Sequence, residues 1–139
     1  MKRNRCVMLI AAVAAIAILP IHAELSGSGT AADPYRISST ADWDAFAARV
    51  NAGQDSDAFF ALASDLSNVT VPVGTQDHPF SGTFDGGSNT ITVALSGSDR
   101  SIAPFAHIAG ATIRNLKVAG TVLGAMHCSG LVGEVFGGP

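Results

Sequence analysis

The chain has 139 residues, of which 47% are hydrophobic, 14% charged and 6% aromatic, which suits one domain and is too apolar for a disordered chain. Eight basic residues stand against 11 acidic ones, a formal charge of −3. No basic excess exists to neutralise a phosphate backbone, so no nucleic-acid partner is expected.

Lys2, Arg3 and Arg5 precede an apolar run from Cys6 to Leu19, closed by Pro20 and by Ile21-His22-Ala23. This is the three-part layout of a secretory signal peptide over residues 1–23. The run is 14 residues long, whereas a bilayer-spanning helix needs about 20, so no membrane span is expected in the mature form. Cleavage after Ala23 leaves 116 residues (139 less 23) with five basic and 11 acidic side chains, a charge of −6. The sequence therefore predicts an acidic, secreted or cell-surface protein. Only Cys128 remains after cleavage, which excludes an internal disulfide and predicts a thiol buried as a small apolar group.

Residues 24–33, with Ser26-Gly27-Ser28-Gly29-Thr30, read as a flexible linker. Tyr35 and Ile37 then share one side of a short extended stretch. A helix is predicted at about 40–52: Ser39 or Thr40 caps it, and Asp42 and Asp44 favour its positive end. Trp43, Phe46, Ala47 and Val50 fall at i, i+3, i+4 and i+7 on one face, and Asn51-Ala52-Gly53 ends it. Beyond Gly53 the apolar period becomes two, predicting strands over Phe60–Ser64, Val69–Val73, Thr90–Leu95 and Leu116–Val122. Turn formers lie between them at Gly74–Asp77, Asp85–Asn89, Ser96–Asp99 and Gly110.

A repeat runs through this region. Phe84 with Thr90-Ile91 matches Phe105 with Thr112-Ile113, 21 to 22 residues on, and Leu131-Val132-Gly133 begins a further copy 27 residues after Phe105 (132 less 105). Periods of this size indicate stacked architectures. The expected fold is all-β: a right-handed parallel β-helix, or β-solenoid, over residues 34–139, with the short amphipathic helix capping its N-terminal end. By the earlier spacing the next isoleucine falls near position 140, which predicts a β-helix truncated at its C-terminus, a fragment of a longer protein with further repeats or domains. An antiparallel sandwich is the structural alternative, but no two adjacent strands are joined by a two-residue hairpin signal.

These residues also resemble a known family. Leu62 with Asp65-Leu66, Pro72-Val73-Gly74-Thr75, Phe80-Ser81-Gly82-Thr83-Phe84-Asp85-Gly86-Gly87 and Thr90-Ile91 look like a recurring block of exported bacterial surface proteins. Pro104-Phe105, Ile113-Arg114-Asn115-Leu116 and Ser129-Gly130-Leu131-Val132-Gly133 continue it, the last resembling the start of a GLUG-type repeat. The resemblance spans roughly residues 30–133, and the Phe84-Asp85-Gly86 block is its most specific part. It implies parallel β-helix modules of adhesins and of the non-catalytic regions of surface peptidases, and it transfers no catalytic residue.

Candidate reactive groups are sparse. Asp77-His78 is the best acid–base pair, yet it has no orienting partner. His107 stands alone near the Gly110 bend, and His127-Cys128 provides too few ligands for a tetrahedral zinc site. Asp85 in Asp85-Gly86-Gly87-Ser88-Asn89 lacks the companion acids of a calcium loop and is expected to bond its own turn amides. Asn68-Val69-Thr70 matches a glycosylation sequon, a weak pattern. The sequence thus predicts no catalytic residue, no metal ligand and no cofactor. It predicts a non-catalytic surface module serving as an adhesive or spacer element, with Thr83, Thr92, Lys117 and Thr121 facing outward to a glycan or extracellular protein ligand. The alternative is the N-terminal part of an exported peptidase or polysaccharide lyase or hydrolase with its active site beyond residue 139.

Overall fold

The computed structural model describes residues 25–136. The expected signal peptide, residues 1–23, lies outside the described residues. The stretch read as a linker forms a turn in its described part: the amides of Ser28, Gly29 and Thr30 all donate to the Asp33 carbonyl, at 2.9–3.2 Å. Strand β1 (Tyr35–Ile37) follows and leads into helix α1 (Thr40–Asn51).

The ends of α1 are set by local chemistry. Ser39 is extended at the N-cap, and its hydroxyl accepts from the Asp42 amide at 3.2 Å. At the other end Gly53 turns left-handed (φ +82°). Its amide donates to Val50 and that of Gln54 to Arg49, which closes the helix as a Schellman motif. Trp43, Phe46, Ala47 and Val50 are fully buried, so the i, i+3, i+4, i+7 face is the core face. Side chains then tie α1 to the stretch beside it: Trp43 Nε1 donates to Val71 O at 2.8 Å, Thr40 Oγ1 to Ser67 O at 2.6 Å, and Asn51 Nδ2 to Pro72 O at 3.1 Å.

The remaining strands are β2 (Phe59–Leu62), β3 (Leu66–Val69), β4 (Thr83–Asp85), β5 (Thr90–Ser96), β6 (Ser101–Ile102), β7 (Phe105–Ala109), β8 (Thr112–Arg114), β9 (Lys117–Leu123), β10 (His127–Cys128) and β11 (Val132–Phe136). They form four sheets, ordered β1-β2-β4-β8, β3-β5-β9, β6-β10 and β7-β11, and all the named pairings are parallel. Strand β5 alternates cleanly, with Ile91, Val93 and Leu95 buried and Thr92, Ala94 and Ser96 exposed. Inside lies an aromatic cluster beside paired aliphatics such as Leu66 with Ile91 and Val69 with Val93. Trp43, Phe46, Phe60, Phe80, Phe84 and Phe105 are essentially inaccessible, with ring centroids 4.2–6.2 Å apart, mostly edge-to-face or tilted.

The chain is mostly strand with a single described helix, but the expected right-handed β-helix is not what it shows. Its sheets are short and separate, and none forms a solenoid. A solenoid stacks equal repeats so that like residues lie over like. Here paired residues are separated by 24 positions between Phe60 and Phe84 but by 29 between Phe84 and Ile113. Strand lengths run from two to seven residues. The left-handed residues Asn68, Ser88 and Asn115 (φ +55° to +66°) interrupt the chain at or just beyond the strands. The repeat of 21 to 22 residues is corrected as well: Phe84 pairs with Ile113 rather than aligning with Phe105, which pairs with Val132.

Candidate functional site

Strands β6, β7, β10 and β11 build the most polar convergence in the described residues. Parallel pairing sets His107 of β7 beside Glu134 of β11, and Ser101 of β6 beside His127 of β10. Residues directly paired in a parallel ladder point to the same side, so four side chains from four short strands meet. Glu134 Oε1 is the focus. It accepts from the Ser101 hydroxyl and lies 3.3 Å from His107 Nε2 and 4.0 Å from His127 Nδ1.

The hydroxyl of Ser101, followed by the nearby charges of Arg100, His107 and His127, holds the Glu134 carboxyl below its ordinary value against the opposing effect of burial. The His107 ring stacks on Phe136, with centroids 5.7 Å apart and planes at 15°. Its Nδ1 is 3.3 Å from the Gly74 carbonyl. Each ring nitrogen thus faces an oxygen acceptor, and both contacts are hydrogen bonds only when each nitrogen carries a proton. Ser101 is 4% exposed and its hydroxyl is directed to a carboxylate, not to an imidazole. This is not the serine–histidine contact that activates a nucleophile.

Beside the cluster opens a cleft of about 360 Å³. It is lined by Asn51, the Pro72–Gln76 stretch, Asp99–Ser101, and Ala106 with His107, the Ala106 amide donating to Val73 O at 2.8 Å so that these last two lie directly beside the Pro72–Gln76 stretch. Asn51 holds the Pro72–Gln76 stretch in place: its Nδ2 donates to Pro72 O, and its Oδ1 accepts the Gly74 amide at 2.7 Å. Among the described residues no group of three or more His, Cys, Asp or Glu side chains is arranged to hold a metal ion.

The other residues singled out from the sequence lie apart. His78 is exposed, its Nδ1 3.0 Å from the Asn51 carbonyl at the end of α1. Asp85 braces its own turn. Its Oδ1 accepts from the Gly87 amide at 2.9 Å and from Asn115 Nδ2 at 3.1 Å, and its Oδ2 accepts from Arg114 Nε at 3.2 Å. The Gly87 amide first, then Asn115 and Arg114, keep the Asp85 carboxyl below its usual value. Asn68 is exposed at the end of β3. Cys128 is exposed rather than buried, because it sits on the two-residue strand β10, which has β6 on only one side. Thr92, Lys117 and Thr121 are exposed and Thr83 is half-buried.

Comparison with protein-family models, curated proteins and solved structures returned no match to this chain. The site is therefore read from its own chemistry. Sequence reasoning missed the Ser101–His107–His127–Glu134 convergence, although one signal could have exposed it. The 27-residue spacing from Phe105 to Val132, carried two residues further, places His107 opposite Glu134.

Proposed function

We propose that this chain is a non-catalytic, exported surface module that presents a polar exterior to a glycan or an extracellular protein, as an adhesive or spacing element. The observation that carries the reading is the outer face of β5 and β9. Thr92 and Ala94 pair with Ala119 and Thr121, and all four are exposed, with Lys117 at the start of the row. Small side chains on a regular ladder, two of them bearing hydroxyls, make a hydrated surface suited to contact over an area rather than to bond-making chemistry.

The use of polar groups elsewhere favours the same reading. Asn51, Asn89, Asp65 and Asp85 bond backbone amides or carbonyls of neighbouring strands and turns, which makes them braces of the fold. The basic and apolar start of the sequence, outside the described residues, supports export, as does the resemblance of the Phe84-Asp85-Gly86-Gly87 block to exported surface proteins with GLUG-type repeats.

The test is adhesion. Beads coated with the folded chain should bind cell layers or matrix-coated surfaces more strongly than beads coated with heat-unfolded chain. Equal binding removes the adhesive role and leaves the spacer. Turnover of a polysaccharide or peptide substrate by the purified chain would overturn the non-catalytic reading.

A further inference from the structure

We propose that the cleft between the Pro72–Gln76 stretch and the Asp99–Ser101 loop is a binding site for a short neutral saccharide. The proposal rests on the adhesive reading above and names its ligand class. Three observations carry it. The first is size: about 360 Å³ lies at the lower end of ligand cavities, about 300–1,000 Å³, which suits a small molecule and not a folded partner. The second is a pair of charged side chains on its rim that, among the described residues, make no direct ion pair. Asp99 and Arg100 are exposed, adjacent in the chain and opposite in sign.

The third is the mixture of groups. Gln76 offers both donors and acceptors, Asp99 only acceptors, and Arg100 only donors, while both His107 ring nitrogens are already turned to Gly74 and Glu134. Pro72 and Ala106 contribute apolar surface between them. A pyranose matches that mixture, with hydroxyls that donate and accept around its edge and a C–H face for the apolar patch. The opposite charges of Asp99 and Arg100 cancel, which favours an uncharged ligand over an anion. Among the described residues no Phe, Tyr or Trp ring lines the cleft to stack a sugar, so each site should bind weakly, with a Kd of about 1 mM. Useful adhesion then comes from many copies acting together.

The experiment titrates the isotope-labelled chain with lactose, cellobiose, diacetylchitobiose and mannobiose, with digalacturonate as the anionic comparison, and follows backbone amide shifts. At least one neutral disaccharide should move amides confined to residues 72–76 and 99–107. Asp99→Ala and Arg100→Ala, both on an exposed loop, should each weaken that binding about tenfold while leaving the remaining spectrum unchanged. The proposal is overturned if no neutral sugar shifts these amides at tens of millimolar, if the shifts fall elsewhere, if digalacturonate binds more tightly, or if the two variants bind as well as the parent chain. Adhesive beads whose binding survives both substitutions would sink the cleft and spare the adhesive role. Sugar-induced shifts in a chain that does not adhere would do the reverse.

Discussion

Phe46 is the residue on which the most packing depends. Its ring is fully buried and lies within 4.2–6.2 Å, centroid to centroid, of Trp43, Phe60, Phe80, Phe84 and Phe105. Phe46→Ala leaves a void at the meeting point of α1 and the strands. A buried Phe→Ala change typically costs about 3–5 kcal/mol, and aromatic pairs add about 0.5–1.5 kcal/mol each beyond area burial. With five ring neighbours the expected loss is at the upper end, about 5 kcal/mol. A domain of this size is stable by roughly 5–15 kcal/mol, so the variant should be barely folded or unfolded at 25 °C. Phe46→Leu keeps most of the volume and should lose only about 1–2 kcal/mol. The assay is urea unfolding followed by fluorescence of Trp43, the single tryptophan, which packs edge-on against Phe46 at 5.4 Å. The midpoint should fall in the order parent, Leu, Ala, with an unchanged slope for the Leu variant. A loss below about 1 kcal/mol for Phe46→Ala would refute the aromatic cluster as the centre of the core.

Further expectations concern the strands and turns. Gly120 has φ +111°, and a Cβ there would lie 2.0 Å from the Val93 carbonyl oxygen, so Gly120→Ala should break the β5–β9 pairing and cost several kcal/mol in the same unfolding assay. Gly110 has φ +72° with nothing within 4 Å of the added carbon, so Gly110→Ala should cost only about 1 kcal/mol; equal losses for the two would contradict the pairing. Asp85, whose carboxyl is held below its ordinary value of 3.8, contributes stability that is fully present above that value and fades as pH falls through the lower folded-state value. Asp85→Asn should therefore lower stability by about 1 kcal/mol at neutral pH and flatten its acid limb below about pH 4; an identical acid limb in both chains would exclude the brace. Amide exchange should be slowest in β5, which has β3 on one side and β9 on the other, and fastest in β10, which has two residues and one neighbour. Uniform protection across these strands would be incompatible with the sheet order.

Local features were legible in the sequence and long-range ones were not. The helix could be read because its signals are contiguous: the Ser39 cap, the Trp43–Phe46–Val50 stripe and the Gly53 stop act within a few residues of one another. The strand expected over Thr90–Leu95 could be read, to within one residue of Thr90–Ser96, because alternation is also local. A strand over Val69–Val73 was expected, but β3 ends at Val69, where the Val71 carbonyl is taken by the Trp43 indole and Pro72 has no amide to give to a ladder. Apolar spacing alone cannot reveal that competition.

The separation of paired strands was harder still. Similar Phe–Thr–Ile surroundings suggested a shift of 21 to 22, whereas pairing is set by turn lengths and gives 24 to 29. An error of a few residues in that separation scatters the expected neighbours. The 27-residue spacing from Phe105 to Val132 already set His107 opposite Glu134, but the placing of Ser101 beside His127 and the exposure of Cys128 depend on the β6–β10 pairing, which no motif marked.

The parallel pairing also dictates how the polypeptide acquires its shape as it is synthesised. Tyr35 meets Phe60, Phe60 meets Phe84 and Phe84 meets Ile113, so a newly made segment has no ladder mate until two dozen or more later residues have followed it. Loop-closure entropy is paid before each such match is rewarded, which slows assembly relative to a helical bundle of equal size. Until Phe60 and Phe84 arrive, the greasy side of the early helix stays wet, and the nascent chain is most vulnerable to sticking to its neighbours in that interval.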